Sequence, residues 1–245
     1  MTVTNSNHNS DIKSGFKQHV FNFRSLVARE PMLKFLYLPY IIWDRRKFKS
    51  LGQNPQERIV ENDTELVIDG FQGSANSFAA NVFQKSQSRY VRIAHHLHSP
   101  TQIIEAARKN IPILLVIREP EKAILSLTSR WSYISVSQGL RGYISFYSKL
   151  EPYISHCVVS TFERTTKHYD RTIAKVNRKF GTQFDIVDME QANQWKPPQG
   201  ERKQRKQNKQ QEFESAVNIE LLAKAKAKYQ IFEQAAREEL TLNQY

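Results

Sequence analysis

The sequence is short of the features that mark secreted, zinc-binding and membrane-spanning proteins. It has one cysteine, Cys157, which excludes an internal disulfide and any zinc site with several cysteine ligands. A lone thiol is typical of a reducing compartment. The N-terminus is polar and lacks the apolar core of a signal peptide. The most apolar early stretch, residues 31–43, is too short for a bilayer span of about 20 residues. These absences predict a soluble, cytoplasmic protein.

Charge, by contrast, is strongly biased to one sign. The 245 residues include 36 Lys and Arg against 24 Asp and Glu, which gives a formal net charge of +12. An excess of this size suits an anionic partner, such as nucleic acid, a phosphorylated small molecule or an acidic membrane surface. Hydrophobic residues make up 40% of the chain, which is ordinary for a globular protein and argues against wholesale disorder.

The N-terminal region differs from the rest of the chain. Residues 1–15 are polar and predict a disordered arm, while residues 16–245 are expected to form a single domain. Within that domain, residues 16–50 have apolar side chains at helical spacing and predict a helical extension. A second interpretation of this region is peripheral membrane contact through residues 31–49.

The middle of the chain alternates between short apolar stretches and helical patterns. Residues 111–117 (IPILLVI) are continuously apolar, which is typical of a strand buried on both faces of a parallel sheet. Such alternation indicates βαβ units, and we therefore predict an α/β fold with a parallel sheet flanked by helices. The other predicted strands are residues 65–70, 90–94 and 156–162, and the predicted helices are residues 101–110, 138–153 and 164–180 and one that starts at Pro120.

The C-terminal part of the chain changes composition twice. Residues 196–209 are rich in Pro, Gln and basic residues without apolar periodicity, which indicates a basic loop or an exposed helix start. Its alternative functions are a solvated basic tract and a contact to an anionic ligand. Residues 213–240 are rich in Ala, Glu and Lys with an apolar stripe, and they predict a C-terminal helical extension.

The segment between the first strand and the first helix has the length of a phosphate-binding loop. It reads Gly70-Phe71-Gln72-Gly73-Ser74-Ala75-Asn76-Ser77. Backbone N–H groups at such a turn, and at the helix N-terminus that follows, attract anions. Against the ATP-binding pattern G-x-x-x-x-G-K-[ST], Asn76 replaces the lysine and Ser77 keeps the hydroxyl. The missing lysine argues against ATP or GTP hydrolysis. The alternative is a capped turn that binds no ligand.

A second polar pair follows the buried strand 111–117. Arg118 comes directly after the strand, and Ser126 lies eight residues further on. An arginine at the carboxyl end of a strand lies at the ligand-binding edge of an open α/β sheet, and a serine two helical turns along points the same way. Forked guanidinium donors and a hydroxyl suit a phosphate group. The alternative is a structural or helix-capping role for Arg118.

Three of the seven histidines, His95, His96 and His98, lie close together. On a strand, His96 and His98 would share one face. An imidazole suits a general base because its ordinary pKa, about 6.5, lies near working pH. The alternatives are a structural role and a metal site. No carboxylate or cysteine lies nearby in the sequence to complete a metal shell, so we expect no metal.

In their order and spacing these motifs resemble the P-loop sulfotransferase family, which uses 3′-phosphoadenosine 5′-phosphosulfate (PAPS) as sulfuryl donor. The loop at residues 70–77, GFQGSANS, is similar to the bacterial loops G-F-P-R-S-G-T-T and G-F-P-R-S-A-N-S. R-E-P at residues 118–120 with Ser126 resembles the second signature, R-[DE]-P with a serine eight residues after the arginine. His96 matches the histidine that the family carries in an H-L context. The resemblance covers roughly residues 64–184.

The resemblance implies a P-loop-type fold and transfer of the sulfuryl group from PAPS to a hydroxyl or amine of a saccharide or small metabolite. Adenosine 3′,5′-bisphosphate would be the product, without a metal or a nucleic acid. It implies that His96 is the catalytic base, with His98 as the second candidate, and that a late basic loop brings Arg202 to the 3′-phosphate. The implied donor-binding residues are Gly70, Gln72, Gly73, Ser74, Ala75, Asn76, Ser77, Phe78, Arg118, Ser126 and Arg202.

One departure from the family concerns positive charge in the first loop. Members usually have Lys or Arg at the position of Gly73 or its neighbour, where this chain has Gln72 and Gly73. We expect Arg92, Lys122 or a residue of the basic loop to supply the charge instead. Two alternatives to a transferase remain. One is a nucleotide-binding module with weak or no transfer activity, and the other is a basic nucleic-acid-binding protein.

Overall fold

The computed structural model describes residues 59–194 and 202–241, together with isolated positions between 15 and 46. For residues 202–208 and 238–241 it describes the backbone alone. All but the last residue of the predicted disordered arm, and most of the predicted membrane-contact segment, lie outside the described residues.

Four short strands form the sheet: β1 (Leu66–Asp69), β2 (Ile93–His95), β3 (Ile113–Ile117) and β4 (Val158–Thr161). Their order across the sheet is β2-β1-β3-β4, and every neighbouring pair is parallel. In this register Ile68 of the central strand β1 lies beside His95 on one side and Leu114 on the other. The predicted α/β fold with a parallel sheet is confirmed.

The helices cover both faces of this sheet. Along each strand the side chains alternate between faces, so that Val67 and Leu115 belong to one apolar core while Ile68 and Leu114 belong to a second. In chain order the helices are α1 (Asn76–Ser86), α2 (Pro100–Arg108), α3 (Pro120–Arg130), α4 (Val136–Leu150), α5 (Phe162–Lys167), α6 (Tyr169–Phe180), α7 (Met189–Gln194), α8 (Arg202–Ala216) and α9 (Ile219–Thr241). Helices α2, α3, α4 and α9 contribute to the first core, and α1, α6 and α7 contribute to the second.

Several predicted boundaries were wrong for local reasons. The predicted helix 164–180 is two helices, because His168 has a non-helical backbone (φ −143°, ψ 46°) between α5 and α6. The closing helix starts at Ile219 rather than at residue 213. Asn218 begins it by accepting a hydrogen bond from the Leu221 N–H at 2.9 Å, as an N-cap residue does. Helix α4 ends at Leu150, and a 3₁₀ helix (Glu151–His156) follows it.

The N-terminal segment and the helices bear on the membrane interpretation. Ile42 and Trp43, two described positions of the segment 31–49, are helical and exposed. None of the helices that the structure describes combines the length and the apolar character that crossing a bilayer requires.

Candidate functional site

The carboxyl ends of the four strands meet at one edge of the sheet. The loop 70–75 follows β1, the histidine segment follows β2, Arg118 follows β3, and Phe162 follows β4. From β1 the chain continues to β2 on one side, whereas β3 and β4 lie on the other side. The strand order therefore reverses between β1 and β3. A crevice at such a switch point is the usual ligand site of an open α/β sheet.

Two glycines let the loop 70–75 lie close against the elements that follow β3. A Cβ on Gly70 would stand 2.0 Å from the backbone oxygen of Val116, a distance that no side chain tolerates. Gly73 has a φ of +87°, and a Cβ there would stand 3.0 Å from the Cβ of Ser126 in α3. Glycine is needed at both positions, at the first for close backbone approach and at the second for its left-handed backbone.

Helix α1 begins directly at the end of this loop without a side-chain cap. Its N-cap residue, Ala75, has a left-handed backbone (φ 75°, ψ 20°) and makes no capping hydrogen bond through a side chain. Asn76 braces the loop by donating from Nδ2 to the carbonyl oxygens of Gly70 at 3.0 Å and Phe71 at 3.2 Å. The Ser74 hydroxyl is buried and interacts with the hydroxyl of Tyr147 in the apolar core. The uncapped N–H groups are donors of the kind that bind a phosphate.

Arg118 joins the end of β3 to the loop. One terminal guanidinium nitrogen donates to the Gly73 carbonyl oxygen at 2.8 Å, and the Cζ atom lies 3.9 Å from the centroid of the Phe162 ring. Tyr143 holds the backbone by donating from its hydroxyl to the Arg118 carbonyl oxygen at 2.7 Å. Burial lowers the pKa of Arg118, although Glu163 partly opposes this, and Nε has no partner among the described residues. Arginine has five N–H donors, so donors remain for a ligand.

Ser126 and Lys122 are the two polar residues of α3 that bear on the contact between Arg118 and Gly73. Ser126 is nearly buried against Gly73, so the structure brings the predicted pair of Arg118 and Ser126 to the same loop residue. The exposed Lys122 ammonium lies 2.7 Å from a Glu119 carboxylate oxygen and 3.8 Å from one of Glu163. The hydrogen bond with Glu119 raises the pKa of Lys122.

Arg92, one of the three candidates to supply charge to the loop, does not lie at the loop. Arg92 precedes β2 and therefore lies at the amino-terminal edge of the sheet, opposite the loop 70–75. Its guanidinium forms ion pairs with Glu61 and, at 2.9 Å, with Asp63. These ion pairs give Arg92 a structural role at that edge.

The histidines do not share a strand face as predicted. Strand β2 ends at His95, and both His96 (φ 59°) and His98 (φ 53°) have left-handed backbones in the segment that follows. His96 uses Nε2 to contact the Ser77 hydroxyl at 2.8 Å, and its Nδ1 contacts Nδ1 of His95. Nε2 of His96 is thus in contact with the first turn of α1.

His98 instead turns toward a residue that sequence analysis missed. Its Nδ1 lies 2.9 Å from the Gly70 carbonyl oxygen and 3.3 Å from Oδ1 of Asp69, the last residue of β1. Its backbone N–H donates to Oδ2 of Asp69 at 2.9 Å. The available signal was an acidic residue that ends the apolar run of β1 directly before the loop.

The remaining predicted residues are at the edges of the site or outside the description. Gln72 is half-buried in the loop, and Phe78 packs in α1 with its ring centroid 6.1 Å from that of Tyr169. Arg202 is the first residue of α8, and its predicted phosphate contact lies outside the described side chains. Among the described residues, no group of three or more His, Cys, Asp or Glu has an arrangement that could hold a metal ion.

The two segments on which the sulfotransferase resemblance depends therefore lie at one edge of the sheet. The loop 70–77 and the segment that starts at Arg118 touch through the bond from Arg118 to Gly73. No family model matches this chain, and no curated protein or solved structure matches it either.

Proposed function

We propose that the protein transfers the sulfuryl group of PAPS to a hydroxyl or amine of a saccharide or small metabolite. The observation that carries this proposal is the hydrogen bond of 2.8 Å that joins Arg118 to Gly73. It combines two anion-binding elements, a loop with an uncapped helix N-terminus and a partly buried arginine, at the switch point of a parallel sheet. PAPS has two separate anionic groups, which suit two such elements.

The loop 70–77 would hold the 5′-phosphosulfate with its backbone N–H groups and the Ser77 hydroxyl, whereas the predicted contact from Ser74 is not available because its hydroxyl is buried beside Tyr147. Arg118 and Ser126 would hold the 3′-phosphate, the group that distinguishes PAPS from ATP. A partly buried guanidinium with unused donors makes strong charge-assisted hydrogen bonds to such a group. Binding the donor at both ends fixes the direction in which its sulfur faces the acceptor.

The reaction needs little covalent chemistry from the protein. The acceptor oxygen or nitrogen attacks sulfur in line with the bridging oxygen, and negative charge spreads over the oxygens around sulfur, as in phosphoryl transfer. The protein contributes positioning and electrostatic stabilisation, together with a base for the acceptor proton. His96 and His98 lie within reach of the loop through Ser77 and Gly70 respectively.

The test compares two nucleotides that differ only in the 3′-phosphate. Isothermal titration of the wild-type protein is expected to show tighter binding of adenosine 3′,5′-bisphosphate than of AMP. [³⁵S]-PAPS incubated with panels of saccharides and small metabolites should then label an acceptor. Equal affinity for the two nucleotides, or no binding of either, would contradict the proposal.

One specific observation favours a second candidate, a module that binds the nucleotide without transferring sulfate. The loop has no lysine or arginine of its own, and the nearby Lys122 is engaged by Glu119 and Glu163. Less positive charge is then available for the oxygen that leaves sulfur. Tight binding of adenosine 3′,5′-bisphosphate without label transfer in the acceptor screen would select this function.

A further inference from the structure

Asp69 is a buried carboxylate for which donor binding provides no role. Its side chain is inaccessible to solvent. Oδ1 accepts a hydrogen bond from the Gly70 N–H and Oδ2 accepts one from the His98 N–H, both at 2.9 Å. Within the described residues, its only basic partner is the His98 imidazole. Burying a charge is expensive unless it is paired, so this carboxylate depends on the donors around it.

The surroundings of His98 determine which ring nitrogen carries the proton. Nδ1 faces two acceptors, the Gly70 carbonyl oxygen at 2.9 Å and Asp69 Oδ1 at 3.3 Å. Asn76 Nδ2, a donor, also lies 3.2 Å from Nδ1, but it lies 3.0 Å from the Gly70 carbonyl oxygen and 3.2 Å from that of Phe71. Because two acceptors face Nδ1, one of them at the shortest of these distances, the geometry favours a proton on Nδ1. In the neutral ring Nε2 is then the basic nitrogen.

We propose that His98 is the catalytic base and that Asp69 is its positioning residue. This inference rests on the proposed sulfuryl transfer. The acceptor oxygen forms a bond to sulfur while the bond from sulfur to the bridging oxygen of PAPS breaks, leaving the electron pair on the 5′-phosphate. The acceptor proton moves to Nε2 of His98. The resulting imidazolium is stabilised by the Asp69 carboxylate at Nδ1 and later releases its proton to solvent.

His96 is less suited to this task in the structure. Its Nε2 already contacts the Ser77 hydroxyl at 2.8 Å, and its Nδ1 faces another imidazole, that of His95, rather than a carboxylate. Within the part of the chain that the structure describes, the titratable groups that face His98 are Asp69 from β1 and, at 5.9 Å between ring centroids, His96 from the same segment. Among the described residues, the buried carboxylate of Asp69 faces the ring of His98, where it can fix the tautomer.

The first test measures the tautomer directly by ¹⁵N NMR of histidine-labelled protein, with His98→Gln used to assign the signal. We expect wild-type His98 to carry its proton on Nδ1, and Asp69→Asn to shift a substantial fraction of it to Nε2. Asp185→Asn is the matched control, since Asp185 also accepts a backbone N–H bond, from Ser88, but lies far from the histidines. A wild-type His98 protonated on Nε2 would overturn the inference.

The second test uses PAPS and the acceptor that the label screen identifies. His98→Ala should lower kcat by roughly 10²–10⁴, the usual contribution of a positioned base, which is far more than it weakens adenosine 3′,5′-bisphosphate binding through the lost contact with Gly70. Asp69→Asn should cause a smaller loss of kcat, and the control Asp185→Asn, which alters a carboxylate outside the site, should keep the wild-type kcat. An inactive His96→Ala beside an active His98→Ala would reverse the assignment.

The two tests separate this inference from the proposed function. A wild-type protein that binds adenosine 3′,5′-bisphosphate no better than AMP contradicts the proposed function. The tautomer of His98 still decides the pairing with Asp69 in that case. If Asp69→Asn fails to fold, the wild-type tautomer and the kcat of His98→Ala decide the inference. An acceptor screen without turnover overturns His98 as a base while leaving nucleotide binding intact.

Discussion

The close approach of Gly70 to the backbone of Val116 leads to a specific prediction about the stability of the fold. A methyl group at Gly70 would stand 2.0 Å from the Val116 carbonyl oxygen and 3.1 Å from Oδ1 of Asn76. The Val116 carbonyl belongs to the backbone of β3 and cannot rotate away, so β1 and β3 would have to separate by about 1 Å or more. Overpacking of a core usually costs about 1–3 kcal/mol. We expect Gly70→Ala to lower the free energy of unfolding by about 3 kcal/mol, the upper end of that range.

Urea denaturation followed by circular dichroism measures this change, and Gly142→Ala is the matched control. Gly142 lies inside α4, where the nearest atom to an added Cβ is Phe71 Cε2 at 3.8 Å, an ordinary contact. Replacing a glycine by alanine inside a helix should raise the free energy of unfolding by about 0.5–1 kcal/mol. The same chemical change is thus expected to have opposite signs at the two positions.

The outcome that would refute this reasoning is specific. The free energy of unfolding of Gly70→Ala could lie within about 0.5 kcal/mol of the wild-type value, as it does for most surface substitutions, with an unchanged dependence on urea concentration. In that case the end of β1 does not pack closely against β3. The loop would then lack the support that holds it beside Arg118. A stable Gly70→Ala protein should also keep its nucleotide affinity, which isothermal titration would reveal.

Three further predictions concern charge. Arg118→Ala should weaken adenosine 3′,5′-bisphosphate binding about tenfold to a hundredfold, because it removes a charge-assisted bond worth about 1.5–3 kcal/mol. AMP binding, measured by the same titration, should stay nearly unchanged. An equal loss of affinity for both nucleotides would show that Arg118 does not bind the 3′-phosphate. Gln72→Arg should raise kcat for sulfuryl transfer, because it adds a positive charge to the loop. Position 72 is chosen because an arginine at Gly73 would be strained by the φ of +87° there. An unchanged kcat in a folded variant would show that the loop does not lack a cation. The hydrogen bond from Arg89 lowers the pKa of Glu65 below its ordinary 4.5. The pair therefore stabilises the fold above that pH and loses its effect as pH falls through the lowered pKa; wild type and Arg89→Gln should converge in urea denaturation at low pH, and a constant difference would contradict this.

The sheet could be predicted from the sequence because burial on both faces leaves a direct pattern. The apolar run of residues 111–117 contains β3, and the stretch before the loop contains β1. The helix boundaries were harder to predict, because single residues decide them. Asn218 separates α8 from α9 through one hydrogen bond, and His168 separates α5 from α6 through its backbone conformation. Neither interrupts the apolar periodicity on which the predictions depended.

The site could be predicted only where residues follow strand ends directly. Arg118 comes immediately after β3, so its place at the edge of the sheet follows from topology. The histidines are different, because the left-handed backbones of His96 and His98 cannot be inferred from residue type. The pairing of Asp69 with His98 depends on those backbones. It also joins residues that are separated by a helix and a strand, which no local pattern reveals.

The left-handed Ala75 has a consequence for how tightly the loop can bind. An alanine in this conformation costs roughly 1–2 kcal/mol, which glycine would not pay. Glycine at this position would relieve that strain but would enlarge the number of backbone conformations open to the loop before a ligand arrives. Alanine narrows the unbound ensemble, so less conformational entropy remains to be lost on binding. Alanine at position 75 thus lowers the stability of the fold and, at the same time, restricts the conformations of the loop before a ligand binds.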